Sequence, residues 1–246
     1  MIRIFGAVLI VGAVFIACTK PPILSTAKNA QEAYNECHGY TESSSYEMAN
    51  QCFELLRSRF TGTTEAIEAE IEIADNYFRQ KDYLVSAEAY KGFAKLHPAY
   101  KRIDYVYYRT GQSYLKESPK SIDRDQQYLD DAIHYFTLTM NDPGSEHREI
   151  AREKWLESRK RLAGRTFYIG RHYYKADEYR AAIPRFEEII YQYPYLGYDE
   201  EALYLLGRSY LGLGNKEKCR DIITVFDQHY PKSKYRKRLA KRLDLS

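Results

Sequence analysis

The hydrophobic pattern of the chain has two regimes. Behind one basic residue, Arg3, the positions from Ile4 to Ala17 form an unbroken run of apolar or small residues. After it, apolar residues return at helical spacing between charged and tyrosine-rich stretches, and one set of positions recurs. Residues 169–194 carry Ile169-Gly170, Tyr173, Ala182, Phe186 and Pro194, and 37 residues later stand Leu206-Gly207, Tyr210, Cys219, Ile223 and Pro231. An earlier copy has Ile73-Ala74, Tyr77, Ser86, Tyr90 and Pro98. In all three the Pro follows the small residue by 24 positions, as 98−74, 194−170 and 231−207 show. Each copy predicts two antiparallel helices. Small residues let them approach, a large one fills the gap to the next pair, and the Pro ends the second helix.

Two further copies are less regular. Gly111 and Tyr114 stand 37 residues after Ala74 and Tyr77, but Ala132 and Phe136 arrive nine residues late, which predicts a loop from Glu117 to Asp125. The stretch from Glu146 to Tyr174 has no break and predicts one long helix. An N-terminal copy has Tyr34, Ala49 and Phe53, with a polar loop around Thr41 to Ser45. The positions match the tetratricopeptide pattern, in which stacking repeats buries what one helix pair leaves exposed. The expected fold is therefore all-α, a right-handed α-solenoid of about five tetratricopeptide helix pairs over residues 27–246. Its N-terminal repeats cover 27–145 and its C-terminal repeats 146–246. Lys232 to Arg242 is strongly basic, with Tyr235, Leu239 and Leu243 at helical spacing. This reads as a capping helix with a charged outer face, with contact to acidic partner or lipid surfaces as the second reading.

Composition agrees: 13 Gly and 8 Pro in 246 residues are too few for turn-rich β-architecture or a disordered chain. Of the 25 Tyr, those at 77, 114, 173 and 210 occupy one packing position of the repeat. The surplus cluster Tyr105, Tyr107 and Tyr108 suits an aromatic lining for an extended peptide.

The first apolar run is shorter than the ~20 residues that span a bilayer and fits a signal-peptide core. Phe15-Ile16-Ala17-Cys18 resembles the bacterial lipoprotein signal. This implies removal of residues 1–17 and a covalent lipid on Cys18, with no other cofactor. Residues 18–26, with Pro21-Pro22, read as a lipidated tether. Thr19 after the Cys implies the outer membrane of a diderm bacterium, at its periplasmic face. Losing Arg3 leaves 36 basic residues against 34 acidic ones, which gives no support to nucleic acid as a partner. In an oxidising compartment Cys37 and Cys52 either pair or remain unpaired buried thiols, and Cys219 is left alone. The six His show no metal-ligand spacing, and no phosphate loop or nucleophile elbow occurs, so neither a metal site nor an enzyme is expected.

Several blocks are closer than the generic repeat. They are His97-Pro98 followed by Ile103-Asp104-Tyr105-Val106, Tyr108 and Gly111, then Asp123-Arg124-Asp125, then Arg159-Lys160-Arg161-Leu162-Ala163 leading to Tyr173-Tyr174. In order and spacing they resemble the outer-membrane assembly lipoprotein family BamD over nearly the whole mature chain. The resemblance implies a non-enzymatic scaffold of the β-barrel assembly (BAM) machinery that docks to a POTRA domain of BamA beside other BAM lipoproteins. It also implies that the scaffold helps receive unfolded outer-membrane proteins. By the same resemblance Arg185 falls at the BamA-contacting Arg. Phe60 stands where the family has a client-linked Tyr, and Glu47 stands where it has an Arg. Phe60, Tyr105 and Tyr108 are thus the candidate client-binding residues. The alternative is another periplasmic repeat lipoprotein, such as a secretin pilotin or a cell-envelope coordinator.

Overall fold

The structure is a computed structural model, and it describes Leu24 and residues 27–244. The leader, Cys18 and all of the tether except Leu24 lie outside the described residues. Among the described residues there are eleven helices: α1 (Ala30–Glu42), α2 (Tyr46–Arg59), α3 (Thr64–Gln80), α4 (Tyr83–Leu96), α5 (Ile103–Glu117), α6 (Tyr128–Asn141), α7 (Arg148–Lys175), α8 (Tyr179–Gln192), α9 (Asp199–Gly212), α10 (Lys216–His229) and α11 (Lys234–Asp244). They give five consecutive helix pairs and a closing helix, the all-α tetratricopeptide architecture. The long helix expected from Glu146 is α7, and the expected loop lies at residues 118–127. The polar loop expected around Thr41 is shorter, because α1 runs on to Glu42 and buries Thr41.

The repeat positions carry the packing. Ala49, Ser86, Ala132, Ala182 and Cys219 are all fully buried, and so are the large side chains Phe53, Tyr90, Phe136 and Phe186 that follow four residues later. Ser86 is tolerated at a small position because its hydroxyl donates to the Ala74 carbonyl at 2.9 Å. The glycines explain the close approach: a Cβ at Gly111 would lie 2.9 Å from the Phe136 ring, and one at Gly170 would lie 2.8 Å from the Phe186 ring. The last copy departs from this scheme. Ile223 is only half buried, and Gly207 faces Leu239 of α11, which would be 2.5 Å from an added Cβ. The capping helix thus supplies the side chain against Gly207.

The same period shows in the backbone. Ser44, Lys81, Asp177 and Gly214 each adopt a left-handed conformation, with φ of 59°, 69°, 59° and 75°. Each closes the tight turn between the two helices of a pair, and 81−44 and 214−177 are both 37. The α5/α6 pair has the long loop in place of that turn.

The described residues divide into two compact units, one ending at Ala69 and the other beginning at Glu70. In the first, α1 starts at Asn29, whose side chain accepts from the Glu32 N–H at 2.9 Å. A disulfide joins Cys37 of α1 to Cys52 of α2, with Cα atoms 5.3 Å apart, and Tyr34 packs on Phe53 with ring centres 5.6 Å apart. Arg59 donates to the Leu24 carbonyl. In the second unit, helices pack on their neighbours in chain order from α4 to α11. Within it α7, which opens the C-terminal group of repeats, packs against both α6 and α8.

Candidate partner-binding surfaces

Tyr105 is held in a buried polar cluster within the second unit. Its hydroxyl lies 2.8 Å from both carboxylate oxygens of Asp75, which is 5% exposed. The same carboxylate accepts from the Tyr90 hydroxyl and pairs with Arg109 at 2.8 Å. Arg109 also donates to the Tyr90 oxygen at 3.1 Å and lies 3.9 Å from the centre of the Phe78 ring. Burial, reinforced by the Asp75 charge, pushes both the Tyr90 and Tyr105 hydroxyls well above the usual phenol range. These residues join α3, α4 and α5, so the Tyr105 hydroxyl serves the scaffold.

Tyr108 does not line an open surface. It is 7% exposed, stacked on His147 at 5.1 Å and tilted against Phe136, and its oxygen accepts from Gln112 at 2.9 Å. Spacing along one helix cannot reveal that a neighbouring helix covers the ring. Tyr107 is half buried against Tyr135. Phe60 caps α2 in the first unit, half buried, with the Arg59 guanidinium 5.2 Å from its ring centre. Glu47 is exposed in the first turn of that helix.

Arg185 is on α8, its side chain 46% exposed and 3.3 Å from Glu188. It follows Pro184, which lacks an N–H and so leaves the Arg180 carbonyl without its helical donor. Two of the Tyr residues at the repeat position reach across to the preceding helix. Tyr114 donates to Glu88 and Tyr210 donates to Glu187, both at 2.8 Å. Among the described residues no group of three His, Cys, Asp or Glu could hold a metal ion. Cys219 is buried, and burial raises its thiol pKa. No helix among the described residues is long and apolar enough to cross a membrane.

A family model described as outer membrane lipoprotein, YfiO, matches residues 26–225. The chain belongs to the YfiO family. It is similar to the "Outer membrane protein assembly factor BamD" of Rickettsia prowazekii, 29% identical over 235 residues, or 95% of this chain and 93% of the relative. The Neisseria meningitidis serogroup A protein of the same name is 28% identical over 217 residues, 84% of this chain and 81% of the relative. Among solved structures, a thermophilic tetratricopeptide protein of Thermus thermophilus aligns with a TM-score of 0.36 and 16% identity, covering 87% of this chain and 99% of that one.

The blocks that carry the YfiO-family resemblance serve packing. Asp104 accepts from the Ser145 hydroxyl at 2.8 Å and lies 3.1 Å from His147 Nδ1, which ties the start of α5 to the α6–α7 connection. Burial alone would raise its carboxyl pKa, but the His147 and Ser145 hydrogen bonds and the Tyr105 N–H hold it below the ordinary value. The Asp123-Arg124-Asp125 loop is fastened by the basic block of α7. Arg161 donates to the Ser118 and Pro119 carbonyls and to Gln126 Oε1, while Arg165 donates to the Ile122 and Arg124 carbonyls. Gln126, 2% exposed, ties the loop from within through the Pro119 and Ser121 carbonyls. This fastening brings Ile122 to the edge of a cleft of about 610 Å³ between α7 and the start of α9. Nothing in the repeat pattern marks that cleft, because its walls come from segments far apart in sequence.

Proposed function

We propose that the protein is a lipid-anchored, non-enzymatic scaffold of outer-membrane β-barrel assembly. On this reading it is held by Cys18 at the periplasmic face of the outer membrane, docks to a BamA POTRA domain beside other BAM lipoproteins, and helps receive unfolded barrel proteins. The observation that carries the reading is the YfiO-family match across residues 26–225, joined by relatives named assembly factors over most of their length.

Arg185 is the proposed BamA contact. Its guanidinium is solvent-accessible and, among the described residues, pairs with the neighbouring Glu188 of the same helix, so a partner carboxylate can compete for it. Of the three client-binding candidates only Phe60 remains in the proposal, since Tyr108 is buried and the Tyr105 hydroxyl is bound to Asp75. The test is affinity purification from detergent-solubilised envelopes. BamA co-purifies with the wild-type chain, and Arg185→Glu lowers its recovery while leaving helicity and thermal unfolding unchanged. Absence of BamA from the wild-type eluate refutes the reading.

A further inference from the structure

The cleft between α7 and the start of α9 has a defined chemistry. Phe167, 6% exposed, and Tyr198 contribute its apolar side, with Ile122 and Tyr168 beside them, 38% and 48% exposed. The frame is specific. Gly197, at φ +92°, turns the chain into Tyr198, and Gly164 makes room for it, since a Cβ there would lie 2.8 Å from the Tyr198 hydroxyl. Along one rim run Arg171, His172 and Lys175 of α7. Among the described residues none of the three has a carboxylate within ion-pair distance, whereas Arg109, Arg165, Arg185 and Arg236 each have one. The helix C-terminus favours cations in its last turn, which accounts for His172 and Lys175 but neither for Arg171 nor for an apolar cleft beside the cations. The one acid in the lining, Glu201, accepts from Tyr235 at 3.4 Å.

We infer that this cleft binds an extended acidic segment of a partner polypeptide that also carries an aromatic or large aliphatic side chain. Carboxylates of the segment meet Arg171 and Lys175, and its apolar side chain rests on Phe167, Tyr168 and Tyr198. Charge complementarity selects the acidic class, and the apolar side distinguishes such a segment from a bare anion. Arg185 does not line the cleft, so this is a second surface, and it rests on the scaffold reading only in that its occupant is a polypeptide.

The test uses the detergent-solubilised mature lipoprotein and a fluorescein-labelled peptide, Asp-Glu-Phe-Asp-Glu-Leu, read by fluorescence anisotropy. Peptides with Lys for the acids or Ala for the apolar residues serve as controls. The acidic apolar peptide binds, more weakly as salt is raised. Arg171→Glu with Lys175→Glu weakens binding at least about tenfold, and Tyr168→Ala weakens it several-fold, with helicity by circular dichroism retained in both. If the double reversal fails to fold, Lys175→Gln gives the same reading in smaller measure. Equal binding by the charge-reversed variant overturns the inference, as does equal binding of the Ala peptide. Displacement of the peptide by inorganic phosphate, or by phosphatidylglycerol vesicles, irrespective of its apolar residues also overturns it and makes the cleft an anion or membrane site. Because the assay needs no BamA, its failure leaves the co-purification result of the scaffold reading intact.

Discussion

Replacing Tyr105 with Phe separates scaffold from binding surface. The substitution keeps the ring and removes only the hydroxyl, which lies 2.8 Å from both oxygens of a carboxylate that is 5% exposed. A hydrogen bond to a charged group contributes about 1.5–3 kcal/mol. Asp75 keeps the Tyr90 hydroxyl and Arg109, so the expected loss lies toward the middle of that range, about 2 kcal/mol. For a chain of this size that is a fall in Tm of about 4–8 °C. Asp75→Asn alone should cost more, about 3–5 kcal/mol, because it leaves Arg109 buried beside a neutral amide. In the Asn background Tyr105→Phe loses only a neutral hydrogen bond, about 1 kcal/mol, so the double-mutant cycle returns a coupling of about 1 kcal/mol. Urea denaturation of the four proteins, followed by circular dichroism, measures every corner of the cycle. A Tyr105→Phe protein as stable as wild type, or a loss equal in both backgrounds, would refute the assignment.

Other perturbations reach separate parts of the molecule. The disulfide closes a segment of 15 residues, so Cys37→Ser with Cys52→Ser should destabilise the α1–α2 pair by about 3 kcal/mol, read as faster amide exchange over residues 30–59. Arg161→Ala removes donors to the Ser118 and Pro119 carbonyls and to Gln126, and trypsin should then cut faster after Lys120 and Arg124; an unchanged rate would show that the loop is held elsewhere. Burial raises the hydroxyls of Tyr114, Tyr210 and Tyr230 from 10.0 to about 12, so the folded state keeps protons that the unfolded chain releases first. That contribution to stability is full below about pH 10 and is lost as pH rises toward 12, so Tm should fall across this window; a flat profile there would count against it.

Much of the helical scaffold was legible because close packing imposes it locally. A small residue followed four positions later by a ring on the same helix face is a short-range pattern, and Ala49/Phe53, Ala132/Phe136 and Ala182/Phe186 obey it with full burial. Ile223 breaks it, because its helix pair is followed by α11, whose Leu239 takes the contact with Gly207. The surfaces were harder to read, because the partners that decide them are distant in sequence. Tyr105 meets a carboxylate 30 residues away, and Tyr108 is covered by His147 on the far side of a helix and a loop. Two arginines of α7 likewise reach back more than 40 residues to hold a loop. Exposure of Arg185 agrees with its place one residue before a packing ring.

The way that loop is fastened has a consequence for divergence. Arg161 and Arg165 grip residues 118–127 almost wholly through main-chain carbonyls, and Gln126 does the same from inside. A carbonyl is present whatever side chain the residue bears. The path of the loop is therefore insulated from most of its own sequence, and Ile122 can be exchanged without loosening the clasp. Related chains could in this way retune what borders the cleft by point substitution alone, leaving the helices that frame it untouched.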